Sequence, residues 1–97
     1  MAELDPVIHQ PVRLQIMAAL YHLGAREQVD FSFLKTQLNL SDGNLGAHLL
    51  ILEEAGLIAV EKTFVARRPK TFVSATPSGR KAFAAHVQAL QAILRTK

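Results

Sequence analysis

The 97-residue sequence has no cysteine. Disulfides and thiolate metal ligands are therefore excluded, and nothing in the composition points to an oxidising compartment. No apolar run approaches the ~20 residues that a membrane-spanning helix needs. Residues 1–5 carry Glu3 and Asp5 and no basic residue, so they do not read as a secretory leader. The expected location is the cytoplasm, and no membrane partner is expected. Two further gaps concern charge. Residues 62–97 hold eight Lys or Arg and no acid, whereas residues 1–61 hold three Lys or Arg against eight acids. So one-sided a half is what an electrostatic footprint for a polyanion looks like, although charges of this kind also simply keep a surface solvated. Conversely, residues 36–61 contain neither Lys nor Arg. With 49% hydrophobic residues the chain can build one modest core. A single domain over residues 1–97 is expected, with no room for a separate catalytic unit.

What is present is a succession of short amphipathic segments. Asp5-Pro6 suits the start of a helical turn, with Asp5 as cap. After Pro11, the residues Val12, Ile16, Leu20 and Leu23 mark one face of a helix that Gly24 stops. Residues 29–31 fit either a short strand or the approach to a helix, and Asp30 caps in both cases. Residues 32–40 then make about two helical turns, with Phe31 or Phe33 beside Leu34 and Leu38. A turn of small polar residues, Ser41-Asp42-Gly43-Asn44, leads into Leu45, Leu49 and Leu52 on one face of a second short helix, over residues 42–55, which ends at Ala55-Gly56. Asp42 reads as the cap of that helix. Strand-like runs at residues 57–62 and 71–75 flank a basic segment, residues 65–70, and predict a hairpin. Thr76-Pro77-Ser78-Gly79 opens a last helix, over about residues 77–97, whose stripe is Phe83, Val87, Leu90 and Leu94, widened by Ile93.

The order helix, helix, tight turn, helix, hairpin, helix predicts a mainly α chain with a small β-hairpin: a three-helix core, a two-stranded wing and a long C-terminal helix, the winged helix-turn-helix. The motifs agree. Ser41-Asp42-Gly43-Asn44-Leu45, then His48-Leu49, then Leu52-Glu53-Glu54-Ala55-Gly56-Leu57-Ile58, resemble the recognition-helix region of ArsR/MarR-type winged-helix transcriptional regulators. His9-Gln10-Pro11-Val12-Arg13-Leu14-Gln15-Ile16 is similar to the first-helix signature of that family, and Thr76-Pro77-Ser78-Gly79-Arg80 to its entry into the last helix. The likeness covers nearly the whole chain. It implies a regulator of transcription that binds double-stranded DNA, with contacts from the turn and the outer side of the third helix.

On that helix, about 100° per residue puts Asn44, Ala47, Ile51 and Glu54 away from the leucine face, with Gly43 and Leu50 nearby and His48 at the edge. The expected DNA contacts are Ser41, Gly43, Asn44, Ala47 and His48 on the helix side and Arg67, Arg68 and Lys70 on the wing. Family members usually carry Ser, Thr or a basic residue near positions 46, 47 and 50, where this chain has Gly46, Ala47 and Leu50. Without Lys or Arg on the helix, the bidentate guanine contact is out of reach. Asn44 toward adenine or phosphate, thymine methyl contacts and a helix N-terminus facing phosphate remain. Affinity is then expected from the wing, with Arg80 and Lys81, at A·T-rich, palindromic sites.

Four scattered histidines, His9, His22, His48 and His86, lack the spacing of a metal site, and Gly43 and Gly46 lack that of a phosphate loop. No metal, cofactor or enzymatic activity is expected. The apolar ends of the chain, Leu4, Val7 and Ile8 with Phe83, Val87, Leu90 and Leu94, suggest a homodimer built from terminal helices at about residues 1–23 and 77–97. The rival reading is a winged-helix protein-interaction module with Leu50 and Ile51 as its docking patch.

Overall fold

The computed structural model describes residues 3–95. Each helix begins where a polar side chain meets its free N–H groups. Helix α1, Pro11–His22, has Gln10 at its N-cap, with the side chain accepting the Arg13 N–H, and Pro11 in its first turn. Strand β1, Val29–Asp30, runs directly into α2, Phe31–Leu38, and Asp30 caps that helix through the Ser32 N–H. Both readings of residues 29–31 are thus realised at once. Asn39, at φ 54°, ends α2 in the left-handed conformation, and two residues later Ser41 caps α3, Asp42–Glu54.

The exit from α3 is a Schellman turn. Gly56 sits at φ 77°, its N–H donating to the Glu53 carbonyl while the Leu57 N–H donates to that of Leu52. Strands β2, Ile58–Val65, and β3, Arg68–Ala75, follow, and α4, Pro77–Leu94, closes the described chain with Thr76 as cap. The sheet is antiparallel in the order β1-β3-β2, so the two-stranded wing expected from sequence is in fact anchored to a third strand. Asp5 caps its own short turn through the Val7 and Ile8 N–H groups.

The core lies between the helices and the inner face of the sheet. Ile16, Met17 and Leu20 of α1, Leu34 of α2, and Leu45, Leu49 and Leu52 of α3 meet Ile58, Val73 and Phe83 there. Each buried leucine contributes about 2 kcal/mol by removing its surface from water. Phe31, not Phe33, joins this packing; Phe33 is exposed. Two residues expected at a dimer interface belong instead to the chain's own core: Ile8 is 0% exposed and Phe83 is buried beside Tyr21, ring centroids 5.0 Å apart. The short N-terminal turn folds Ile8 inward, so neither side chain is available to a partner.

The tightest join is at the start of α4. The Thr76 N–H donates to the Leu57 carbonyl, and the Thr76 hydroxyl donates to the Gly56 carbonyl while accepting the Gly79 N–H. Gly79 lies so close to β2 that a Cβ there would sit 1.8 Å from the Leu57 oxygen. Only glycine lets the helix approach the strand this way.

Candidate nucleic-acid interface

Three buried leucines orient α3 and leave its opposite side in solvent. Ser41, Gly43, Asn44 and Ala47 are all exposed there, and His48 is half-buried at the edge, as the helical spacing predicts. The Ser41 hydroxyl accepts the Asn44 N–H at 3.1 Å, which makes Ser41 the cap. Asp42 is the first helical residue and no cap: its carboxylate pairs with Lys35 of α2 at 2.9 Å. An added Cβ at Gly43 or Gly46 would meet nothing within 4 Å, so neither glycine is required by packing inside the chain.

Although residues 36–61 have no cation of their own, the fold brings two to the helix. Lys35 stands over its first turn through Asp42. Arg13 of α1 donates to His48 Nδ1 at 3.3 Å and to the Val7 carbonyl at 2.6 Å. Sequence reasoning missed Arg13, since nothing in the spacing of α1 indicates that it crosses to α3.

The wing is longer and tighter than expected. Its loop is only Ala66-Arg67, at φ 51° and 66°, both left-handed as a two-residue type I′ hairpin turn requires. Neither residue is the usual Asn or Gly, which is why the turn was not legible. The aromatic and β-branched residues Thr63, Phe64 and Val65 extend the ladder instead. Arg67 is therefore at the tip and Arg68 opens β3, opposite Val65. Lys70 is not on the tip: it lies within β3 opposite Thr63, and its ammonium donates to Asp30 at 3.0 Å. That hydrogen bond, with the Ser32 N–H, holds the Asp30 carboxyl below its ordinary pKa. Lys62, which the sequence reading passed over, borders a groove of about 410 Å³ between wing and α3, facing Gly46, Leu50 and Glu53.

Arg80 and Lys81 part company. The Arg80 guanidinium stacks 4.7 Å from the Tyr21 ring centroid and donates to the Leu23 carbonyl, closing the end of α1, so it is engaged within the fold; Lys81 is exposed. Two of the histidines, His9 and His86, lie together, ring centroids 5.5 Å apart. Among the described residues no three His, Cys, Asp or Glu are grouped to hold a metal, and no helix is long and apolar enough to cross a membrane. His86 is fully buried, its Nδ1 accepting the Asp5 N–H at 2.9 Å. Burial pushes its pKa down and nearby His9 adds to the shift, with Asp5 opposing.

Residues 12–94 match the family model of the winged helix DNA-binding domain. An uncharacterized protein of Methanocaldococcus jannaschii is 43% identical over 77 residues, spanning 79% of this chain and 80% of that protein. The solved structure of a transcriptional regulator homologue from Pyrococcus horikoshii OT3 superposes with a TM-score of 0.82 at 34% identity, covering 91% of this chain and 84% of that one. A protein of Porphyromonas gingivalis W83 assigned to the MarR family of transcriptional regulators shares the fold, with a TM-score of 0.68 at 19% identity over 94% of this chain and 85% of that one. The regulator homologue and the shared winged-helix fold match the likeness read from the motifs. The chain belongs to the winged helix DNA-binding domain family.

Proposed function

We propose that the protein is a cytoplasmic, homodimeric regulator of transcription that binds double-stranded DNA, with α3 in the major groove and the wing on the flanking backbone and minor groove. The observation that carries this reading is the juxtaposition of two surfaces. Small residues line the exposed start of α3, with Asp42 paired to Lys35, and the wing, whose tip carries Arg67 and Arg68, rises from the far side of the Lys62 groove that borders the middle of the helix. Gly43, Asn44 and Ala47 let the helix N-terminus approach a phosphate while Asn44 reads an adenine edge. The arginines and Lys62 supply attraction to phosphate that is independent of sequence. Lys70, already paired with Asp30, contributes less.

The dimer surface is smaller than the sequence suggested. With Ile8 and Phe83 inside the core, it consists of Leu4 and Val7 together with Val87, Leu90, Ile93 and Leu94. These are half-buried or exposed, and Leu94 is 81% exposed. Two-fold pairing through α4 covers this surface and spaces two α3 helices about 34 Å apart on a palindrome. Occupying such a site blocks access to it, so repression is the mode that needs no further contact.

Selection of bound sequences from random duplex DNA tests the proposal. A palindrome rich in A·T should be enriched, and Arg67→Ala/Arg68→Ala should weaken it. No enrichment at low salt would refute DNA binding and favour the interaction module, for which exposed Leu50 and Ile51 would be the docking residues. A monomer at micromolar concentration in sedimentation would refute the dimer.

A further inference from the structure

Phe64 is 73% exposed, the most exposed aromatic side chain among the described residues, and it lies one residue before the strand end that leads into the wing turn. Alternation along β2 puts Ile58, Val60, Lys62 and Phe64 on one face. Ile58 packs in the core, and Val60 and Lys62 border the groove opposite Leu50, so Phe64 continues outward along the side of the wing that faces α3. Four residues beyond Val60 correspond to about 13 Å of strand. That distance carries the ring past the body of the protein, toward the groove next to the one α3 would occupy.

The local geometry holds the ring out. Val65 and Arg68 close the two-residue turn as its hydrogen-bonded pair, so the next pair, Phe64 opposite Pro69, is a non-hydrogen-bonded one. The missing N–H of Pro69 then points away from β2, to an edge that β1 leaves open, since β1 reaches only Phe72 and Val73. Proline at this position costs no ladder bond and stiffens the strand behind the ring.

We propose that Phe64 is a DNA-contacting wedge: its ring enters the minor groove beside the major-groove site and presses between base steps, while Arg67 and Arg68 hold the flanking phosphates. The inference rests on the DNA-binding reading. Residues 62–70 contain four cations and no acid, which matches a polyanion and repels a second copy of the same tip. Apolar side chains unstack base steps in this way, most cheaply at flexible pyrimidine–purine steps. The wedge thus adds selectivity for deformable steps to the base reading by α3, which has no Lys or Arg.

The test uses the full chain and a duplex enriched in the selection, with 2-aminopurine placed at the steps flanking each half-site. Wild type should raise the fluorescence as the probe unstacks. Phe64→Ala should bind about tenfold more weakly, the scale of one lost aromatic–base contact, and should leave the probe quenched. Phe64→Leu should retain part of both effects, and circular dichroism should show all variants folded. Wild-type affinity and fluorescence in Phe64→Ala overturn the wedge while leaving DNA binding intact. Failure of the wild type to bind any duplex at low salt overturns both. Tighter Phe64-dependent binding to vesicles of phosphatidylglycerol and phosphatidylcholine than to the duplex overturns the wedge in favour of a membrane contact.

Discussion

The exposed side of α3 and the tip of the wing belong to elements that share a groove at their base and are built on opposite terms. Helix α3 is held by Leu45, Leu49 and Leu52 in the core, and its outer side has no cation of its own, with Asp42 at the start paired to Lys35 and Glu53 and Glu54 acidic at the end. The wing tip has no buried side chain beyond Val73 and is held by its ladder, yet it carries the cations. A rigid surface of small residues without cations suits discrimination by shape and close approach. A projecting, charged one suits attraction and reach. Affinity and selectivity are thereby divided between two elements that meet only through their common base.

That base is the place where both are lost together. Gly79→Ala forces a Cβ against the Leu57 carbonyl and should destabilise the fold by about 3 kcal/mol or more, read as a lower midpoint in urea. An unchanged midpoint would show that the approach of α4 to β2 relaxes freely. The next largest effect should fall on the wing. Arg67→Ala/Arg68→Ala should lower affinity for all duplexes alike and reduce the slope of log K against log salt by about 2. Asn44→Ala should cost about 1–3 kcal/mol at one base position and leave the slope alone. Lys70→Ala should do less than either arginine, because Asp30 already holds its charge. If Asn44→Ala changed the salt slope and the double arginine variant changed base preference, the division of labour would be reversed.

Smaller effects sharpen the same contrast. Gly43→Ala meets no obstacle within the chain, so it should stabilise α3 by about 0.5–1 kcal/mol while weakening DNA binding. A gain in both would mean that close approach to DNA is not the reason for the glycine. Ala66→Asn should ease the left-handed backbone at φ 51° and raise stability by about 0.5 kcal/mol with DNA affinity nearly unchanged, as thermal melts and binding titrations would show. An equal loss of affinity would place Ala66, not Phe64 and the arginines, at the contact.

Much of this was legible before any coordinates. The leucine stripe of α3, the Ser41 turn, the Thr76-Pro77 entry into α4 and the basic segment all depend on side chains within a few residues of one another. Periodicity and capping express such local relations directly. The exposed set Gly43, Asn44, Ala47, Ile51 follows from helix geometry once the leucines are assigned to the core.

What only the tertiary structure decided involves partners far apart in the chain. Lys70 meets Asp30 across 40 positions, Arg13 meets His48 across 35, and Asp5 meets His86 across 81. No local pattern records such pairs, so the sequence placed Lys70 among free cations and left α3 without any nearby. Burial of Ile8 and Phe83 likewise depends on how the N-terminal turn and α4 close over α1. The length of the wing depends on a turn whose left-handed residues carry none of the usual side chains. Local chemistry determined which elements form and where they start and stop; packing across the chain determined which charges remain free and which apolar faces remain uncovered.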